Sequence, residues 1–511
     1  MQENHINTKR IAKNTLFLYA RLILVIGVTL YSSRVVLDKL GVTDFGLYHV
    51  VFGVIGMLTF LNGTLSSGTS RFITYELGAG NKQELKSTFS TALLAHITLA
   101  LVILLIGETV GLWYATQVMV VPEGRMGAAM VVYQISVVTT MMSIVRVPFT
   151  SEIIAHERMN VYAYMGMYEA IAQLLVVYVL IVTPSDRLII YAILQLMVAC
   201  SVLVIYIVYA KRKFEEVTFK WYYNKQTFSK ILKFSGWNII ANLSNTLSIQ
   251  GIIMLFNLFF QPFVVAAQAV SNQISSGLML FVNNVRQAVT PQIIKLYANE
   301  QYKESQRLTF LSAEYILYLL LLLGVPCIMV MQRLLDVWLV EVPEYAVEFA
   351  QLAVVQCIVS NTDGAFYTSL LAANKLEKNS LAALVLCGGQ FVLLAVLFYF
   401  GCGPLWARYM AIFVTSLFSF VVKPYILWKD IDYSLSDLSK CIWHCVKVMI
   451  VIAVVSVAEY MLIPQHTTLD SLIVVVVSVL SVCAVSCLFM SKSERAQAFE
   501  MIINKIPVLR R

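Results

Sequence analysis

The sequence predicts an all-α polytopic membrane protein of about fourteen transmembrane helices, and three observations carry that prediction. Of its 511 residues, 59% are hydrophobic and only 13% charged, giving a mean hydropathy of +0.77. A soluble chain of this length could not hide so much apolar surface. Apolar runs long enough to span a bilayer recur from end to end, and Lys and Arg concentrate in every second gap between them by about five to one.

In order, the runs cover 15–37, 45–73, 88–113, 128–150, 160–183, 188–210, 234–260, 264–290, 308–331, 346–372, 380–400, 405–428, 442–463 and 471–490. The second, fourth, eighth and tenth are the most polar. The first is too long for a cleaved signal peptide, and no small-residue cleavage site precedes the next run. The basic gaps hold Lys9, Arg10 and Lys13, then Lys82 and Lys86, Arg158, Lys211 to Lys233, Lys295 to Arg307, Lys375 and Lys378, Lys429 and Lys440, and the tail from Lys492. The sparse side holds Lys39, Arg125, Arg187, Arg333 and Arg408. An even number of spans puts both termini on the basic side, which the positive-inside rule makes cytoplasmic. The net charge of +8 is therefore an orientation signal, and no nucleic-acid partner is expected.

An internal repeat divides the chain. At an offset of roughly 220 residues, Phe60-Leu61-Asn62 falls on Phe281-Val282-Asn283 and Ser151 falls near Ser369, the mark of a duplicated unit. The expected organisation is a six-helix lobe over 1–213, a linker over 214–233, a second six-helix lobe over 234–430, and two extra helices with a basic tail over 431–511. Units with an even number of spans run in the same sense, so the lobes are expected to be related by a pseudo-two-fold axis along the membrane normal. The linker alternates lysines with Phe214, Phe219, Trp221, Tyr222, Tyr223 and Phe228. It either lies along the anionic leaflet or simply tethers the halves.

Charges inside spans are the candidates for function, because each is costly in lipid unless it faces protein or water. Arg21, Arg71, Arg146 and Arg286 lie in the basic-side half of their spans, the last three among Ser, Thr, Asn and Gln. Arg34, Lys423 and Lys447 are expected to snorkel to the interface. Among the acids Glu108, Glu169, Glu314, Asp363 and Glu459, the preferred ion-coupling candidates are Asp363 and Glu169, with structural pairing to an arginine as the competing role. The repeat also places Arg146 beside Asp363 in register, which suggests a pair across the two halves. The nine cysteines lie mostly inside apolar runs and are expected to pack rather than form disulfides. Cys441, His444 and Cys445 are too few for a metal site, and no metal ligands or cofactors are expected.

The stretch Leu40-Gly41-Val42-Thr43-Asp44-Phe45-Gly46-Leu47-Tyr48, followed by Asn62-Gly63 through Ser70-Arg71-Phe72, resembles the Wzx-type lipid-linked oligosaccharide flippases of the MOP (MATE-like) superfamily. These serve bacterial O-antigen and capsule assembly. The resemblance implies two lobes around a cationic cavity and alternating access in the bacterial inner membrane. It also implies an undecaprenyl-diphosphate-linked sugar unit as substrate and, with it, other polysaccharide-assembly proteins as partners. Arg21, Arg71, Arg146 and Arg286 would then bind the diphosphate, since arginine offers a bidentate fork. Asn62 and Asn283 would bind the sugars, and H+ or Na+ would be the coupling ion. Related branches carry the peptidoglycan lipid precursor or organic cations. No P-loop is present, so the chain is not expected to hydrolyse ATP. The sparse-side gaps are also too short to carry the acid/base residues of a membrane polymerase or ligase.

Overall fold

The computed structural model describes residues 8–79, 81–156, 158–217, 242–244, 246–373, 375–463, 467–490 and 495, and the side chains of 8–23, 59–61, 63, 64, 67, 68, 71, 75, 78, 79, 159, 284, 287, 288, 291, 292, 295, 298, 361–363 and 468 fall outside that description. The described chain is helical, and nine of its helices are long and apolar enough to cross a membrane. It is a multi-pass membrane protein.

The helices are α1 (Thr8–Gly56), α2 (Phe60–Ala79), α3 (Lys82–Ile106), α4 (Met126–Ala155), α5 (Met159–Val182), α6 (Arg187–Lys213), α7 (Ile252–Phe259), α8 (Pro262–Ala298), α9 (Tyr302–Met329), α10 (Met331–Trp338), α11 (Ala346–Val359), α12 (Asn361–Ala372), α13 (Glu377–Tyr399), α14 (Trp406–Leu417), α15 (Leu435–Leu462) and α16 (Thr468–Phe489). The nine apolar spans coincide with the third to sixth, ninth, and eleventh to fourteenth predicted runs. The second run is shared between the second half of α1, a 3-10 turn at Met57–Thr59 and α2, and the eighth folds as α8; Arg, Asn, Ser and Thr dilute their hydropathy. The tenth is split at Ser360 into α11 and α12.

The opening motif has a physical explanation. Gly41 has φ of 76°, a left-handed conformation that favours glycine, and it breaks α1 into two helices. Gly46 faces the Pro262 carbonyl so closely that a Cβ would collide with that oxygen. The second half of α1 can therefore abut the start of α8 only with glycine there.

The chain forms two compact units. The first comprises Met1–Val270, Trp338–Ala346 and Ser380–Ala407, and the second Ser271–Val337, Val347–Asn379 and Arg408–Arg511. In the first, α4 is the central element, packed on α2, α3 and α6, while α5 packs along α1. Phe89, Phe149, Ile153, Val202, Tyr206 and Phe214 form much of its core. A π turn at Gly107–Gly111 interrupts the helix after α3 and disturbs its backbone ladder. Tyr133 donates its hydroxyl to the Gly107 carbonyl at 2.6 Å, a second donor to that oxygen beside the Leu112 N–H. In the second unit α9 packs on α12, α15 and α16. The Ser369 hydroxyl accepts from Tyr433 at 2.8 Å and pairs with Thr309 at 2.9 Å.

Candidate functional site

The predicted residues separate by unit. In the first unit Arg146 of α4 meets Glu169 of α5 at 3.4 Å and lies 5.7 Å from the centre of the Tyr206 ring. Both members are partly exposed, so the pair contributes little to stability. The structure thus gives Glu169 an arginine partner one helix away. The expected partner Asp363 is on α12 of the other unit, and its side chain is outside the described residues. Asn62, on α2, is half-buried, with its amide oxygen buried and without a hydrogen-bond partner. Arg21 and Arg71 lie on α1 and α2, their side chains also outside the described set.

In the second unit Asn283 is exposed on α8, whereas Arg286, one turn on, is drawn inward with its Nε buried. Its guanidinium rests on the backbone of α12 at Gly364, where any Cβ would collide with it. Gly364, near the start of α12, thus leaves the space this arginine occupies.

Two further cations escaped the sequence reading. Arg408, assigned there to an outer gap, begins α14 and is only 7% exposed. Its Nη2 donates to Ser271 Oγ at 2.5 Å and Asn272 Oδ1 at 3.2 Å, and Nη1 donates to Gln356 Oε1 at 3.3 Å. All these partners are neutral, and its Nε has none. No carboxylate pairs with it among the described residues. A buried guanidinium solvated only by neutral dipoles keeps its positive potential for an incoming anion. Lys423, expected to snorkel, is instead 1% exposed and stacks 4.7 Å from the Phe418 ring centre at a π turn. Arg34 and Lys447 are exposed. The signal for Arg408 was available, since Ser271, Asn272 and Gln356 all fall in neighbouring apolar runs, but the distances that unite them span 52 to 137 residues of sequence.

At the sparse face of the first unit, Arg125 binds two aspartates. Nε donates to Asp44 Oδ1 at 3.0 Å and Nη1 to Asp186 Oδ2 at 2.7 Å, while Nη2 serves both carboxylates. The hydrogen bonds from Arg125 hold the Asp186 carboxyl below its ordinary range. Burial outweighs the same partner at Asp44 and raises its carboxyl. Asp44 of the opening motif is thus part of a clamp that joins the second half of α1 to the residues preceding α4 and α6.

In the second unit a cavity of about 1070 Å³ opens among Tyr297, Lys303, Arg307, Asp432 and Lys440. None of the predicted site residues lines it. His444 is hydrogen-bonded with Tyr318 at 2.9 Å and lines this cavity together with Cys441, while Cys441 and Cys445 form no disulfide.

The architecture is one of long, apolar, membrane-spanning helices. Similar solved structures include an inward-facing multidrug resistance MATE family transporter of the MOP superfamily, with a TM-score of 0.66, 14% identity, and coverage of 82% of this chain and 99% of that one. The lipid II flippase MurJ in an inward closed conformation gives 0.65 and 12%, covering 94% and 98%. A MOP superfamily transporter from Pyrococcus furiosus, described by the reverse polarity of its binding pocket, gives 0.61 and 14%, covering 84% and 96%. No family model and no curated protein matches. The likeness at these identities is one of fold.

Proposed function

We propose that the protein is a flippase that carries an undecaprenyl-diphosphate-linked oligosaccharide, an O-antigen, capsule or exopolysaccharide unit, from the cytoplasmic to the outer leaflet by alternating access. The observation that carries this reading is Arg408, a buried cation whose partners among the described residues are all neutral. A site for organic cations would invert that charge, whereas a diphosphate needs it. Arg286, with Arg21, Arg71 and Arg146, supplies further guanidinium groups for phosphate, and Asn62 and Asn283 supply amides for sugar hydroxyls. Glu169 or Asp363 takes the coupling H+ or Na+. As the diphosphate approaches Arg146 it competes with Glu169, and a carboxylate released from its pair takes up a cation more readily.

Coverage adds support for a lipid-linked substrate over a drug. The lipid II flippase accounts for 94% of the chain against 82% for the multidrug transporter, a difference on the order of two membrane helices. That same comparison keeps a peptidoglycan precursor as the second candidate substrate. The test is export in a bacterial strain whose surface polysaccharide depends on this protein. Arg408→Gln and Arg286→Ala should each abolish surface polysaccharide while the protein remains in the membrane. Full export by both variants would remove the phosphate role.

A further inference from the structure

Glu152, His156 and Glu216 gather in the first unit where α4 ends and the chain leaves α6. Glu152 and His156 are four residues apart, so their side chains leave the same face of the helix end. The segment after Phe214 brings Glu216 to them. His156 Nε2 is 2.5 Å from Glu216 Oε1 and 3.7 Å from Glu152 Oε2, and one ligand atom from each of the three lies within 4.8 Å of the others. The imidazole stacks on Phe214, ring centres 4.3 Å apart at 13°, which fixes its direction.

A separate observation points to a ligand. Glu152 is 0% exposed, and neither of its carboxylate oxygens has a hydrogen-bond partner. A bare buried carboxylate is costly, and a protonated one would have a hydroxyl with nothing to donate to. A divalent cation resolves both, because two carboxylates and a neutral imidazole balance its charge. One nitrogen and two oxygens suit a borderline transition metal better than Mg2+ or Ca2+, which favour oxygen alone. The 3.7 Å between His156 and Glu152 is close to the separation of two ligands at about 2.0–2.2 Å from a tetrahedral ion, and Glu216 need withdraw only on the order of 1 Å to join them.

We propose that Glu152, His156 and Glu216 form a binding site for a divalent transition metal of the Zn2+ class, which staples the Phe214–Val217 segment to the end of α4. The proposed site does not depend on the identity of the transported substrate. Neighbouring Glu215 is exposed and paired with Lys82 at 3.2 Å, and it serves as the control.

Full-length protein in detergent, stripped by a chelator, is titrated with Co2+. The wild type should take up one equivalent with visible absorption bands that Zn2+ abolishes, and its Tm should rise by at least about 3 °C at saturation. Glu152→Gln and His156→Ala should each lose bands and shift, while Glu215→Gln keeps both. Failure of the wild type to bind Co2+ overturns the proposal, as do bands that persist in Glu152→Gln and His156→Ala. Should those variants not fold, the wild-type titration decides alone.

Discussion

Replacing Gly364 with Ala should disable the protein without unfolding it. The added Cβ would occupy space now filled by the Arg286 guanidinium, and the atoms it meets are the far end of a flexible side chain rather than backbone. Overpacking typically costs ~1–3 kcal/mol, while exchanging Gly for Ala inside a helix returns ~1 kcal/mol. The net destabilisation is therefore about 0–2 kcal/mol, small enough for the protein to reach the membrane. The guanidinium, however, must retreat by on the order of 1 Å or more, and a charge-assisted bond to phosphate worth ~1.5–3 kcal/mol depends on its position. That loss corresponds to roughly 10- to 150-fold in binding. The assay is flipping of a fluorescent lipid-linked oligosaccharide in proteoliposomes, run beside a thermal melt. Gly364→Ala should fall with Arg286→Ala in transport while its Tm stays within a few degrees of wild type. Transport at the wild-type rate in Gly364→Ala, with Arg286→Ala inactive, would refute the idea that this close approach sets the arginine.

Three further outcomes are expected. Arg408→Met should raise Tm, because replacing a buried charge with an apolar side chain of similar length removes a desolvation cost and can stabilise by ~1–4 kcal/mol, yet it should abolish flipping; a lower Tm with intact flipping would contradict both halves. The Arg125 clamp should show opposed pH behaviour in melts. Asp186, with its folded pKa lowered, contributes stability that is present above its unfolded pKa near ~3.9 and lost as pH falls through the folded value; Asp44, with its folded pKa raised, contributes stability that is present below ~3.9 and lost as pH rises. Asp186→Asn should therefore cost more than Asp44→Asn at pH 7, and an equal or reversed order would contradict the assignment. For topology, cysteines placed at the exposed Val120 and Val340 should be labelled from outside the cell, and those at the exposed Lys82 and Lys303 only after permeabilisation; the opposite pattern would invert the orientation.

How far the sequence reached depended on the range of the interaction concerned. Hydropathy is local, so the long apolar helices α3 to α6 and α13 to α16 were legible, and so was the break at Gly41. Helix α2 was harder, because the Arg, Ser and Asn that make it a candidate cavity wall also dilute the signal by which spans are found. The charge count placed Arg408 in a loop because it stands two residues into α14, where a linear reading cannot distinguish a solvated end from one buried by Ser271, Asn272 and Gln356. Lys423 misled for a similar reason: its burial comes from Phe418 at the π turn and from Tyr367, and a π turn leaves no mark in hydropathy. The seat of Arg286 on Gly364 joins two helices distant in sequence, and a lone glycine in an apolar run carries no sign of what fills its missing side chain. The cluster at Glu152 and His156 had a visible four-residue spacing, but Glu216 lay beyond the next two helices.

The most direct measurement is reconstitution of the purified protein with two substrates in parallel, a fluorescent undecaprenyl-diphosphate-linked oligosaccharide and a fluorescent organic cation. The account predicts that the lipid-linked sugar crosses the bilayer, that flipping falls at least about tenfold in Arg408→Met and Arg286→Ala, and that the cation is not carried. Transport of the organic cation with no flipping of the lipid-linked sugar would contradict it.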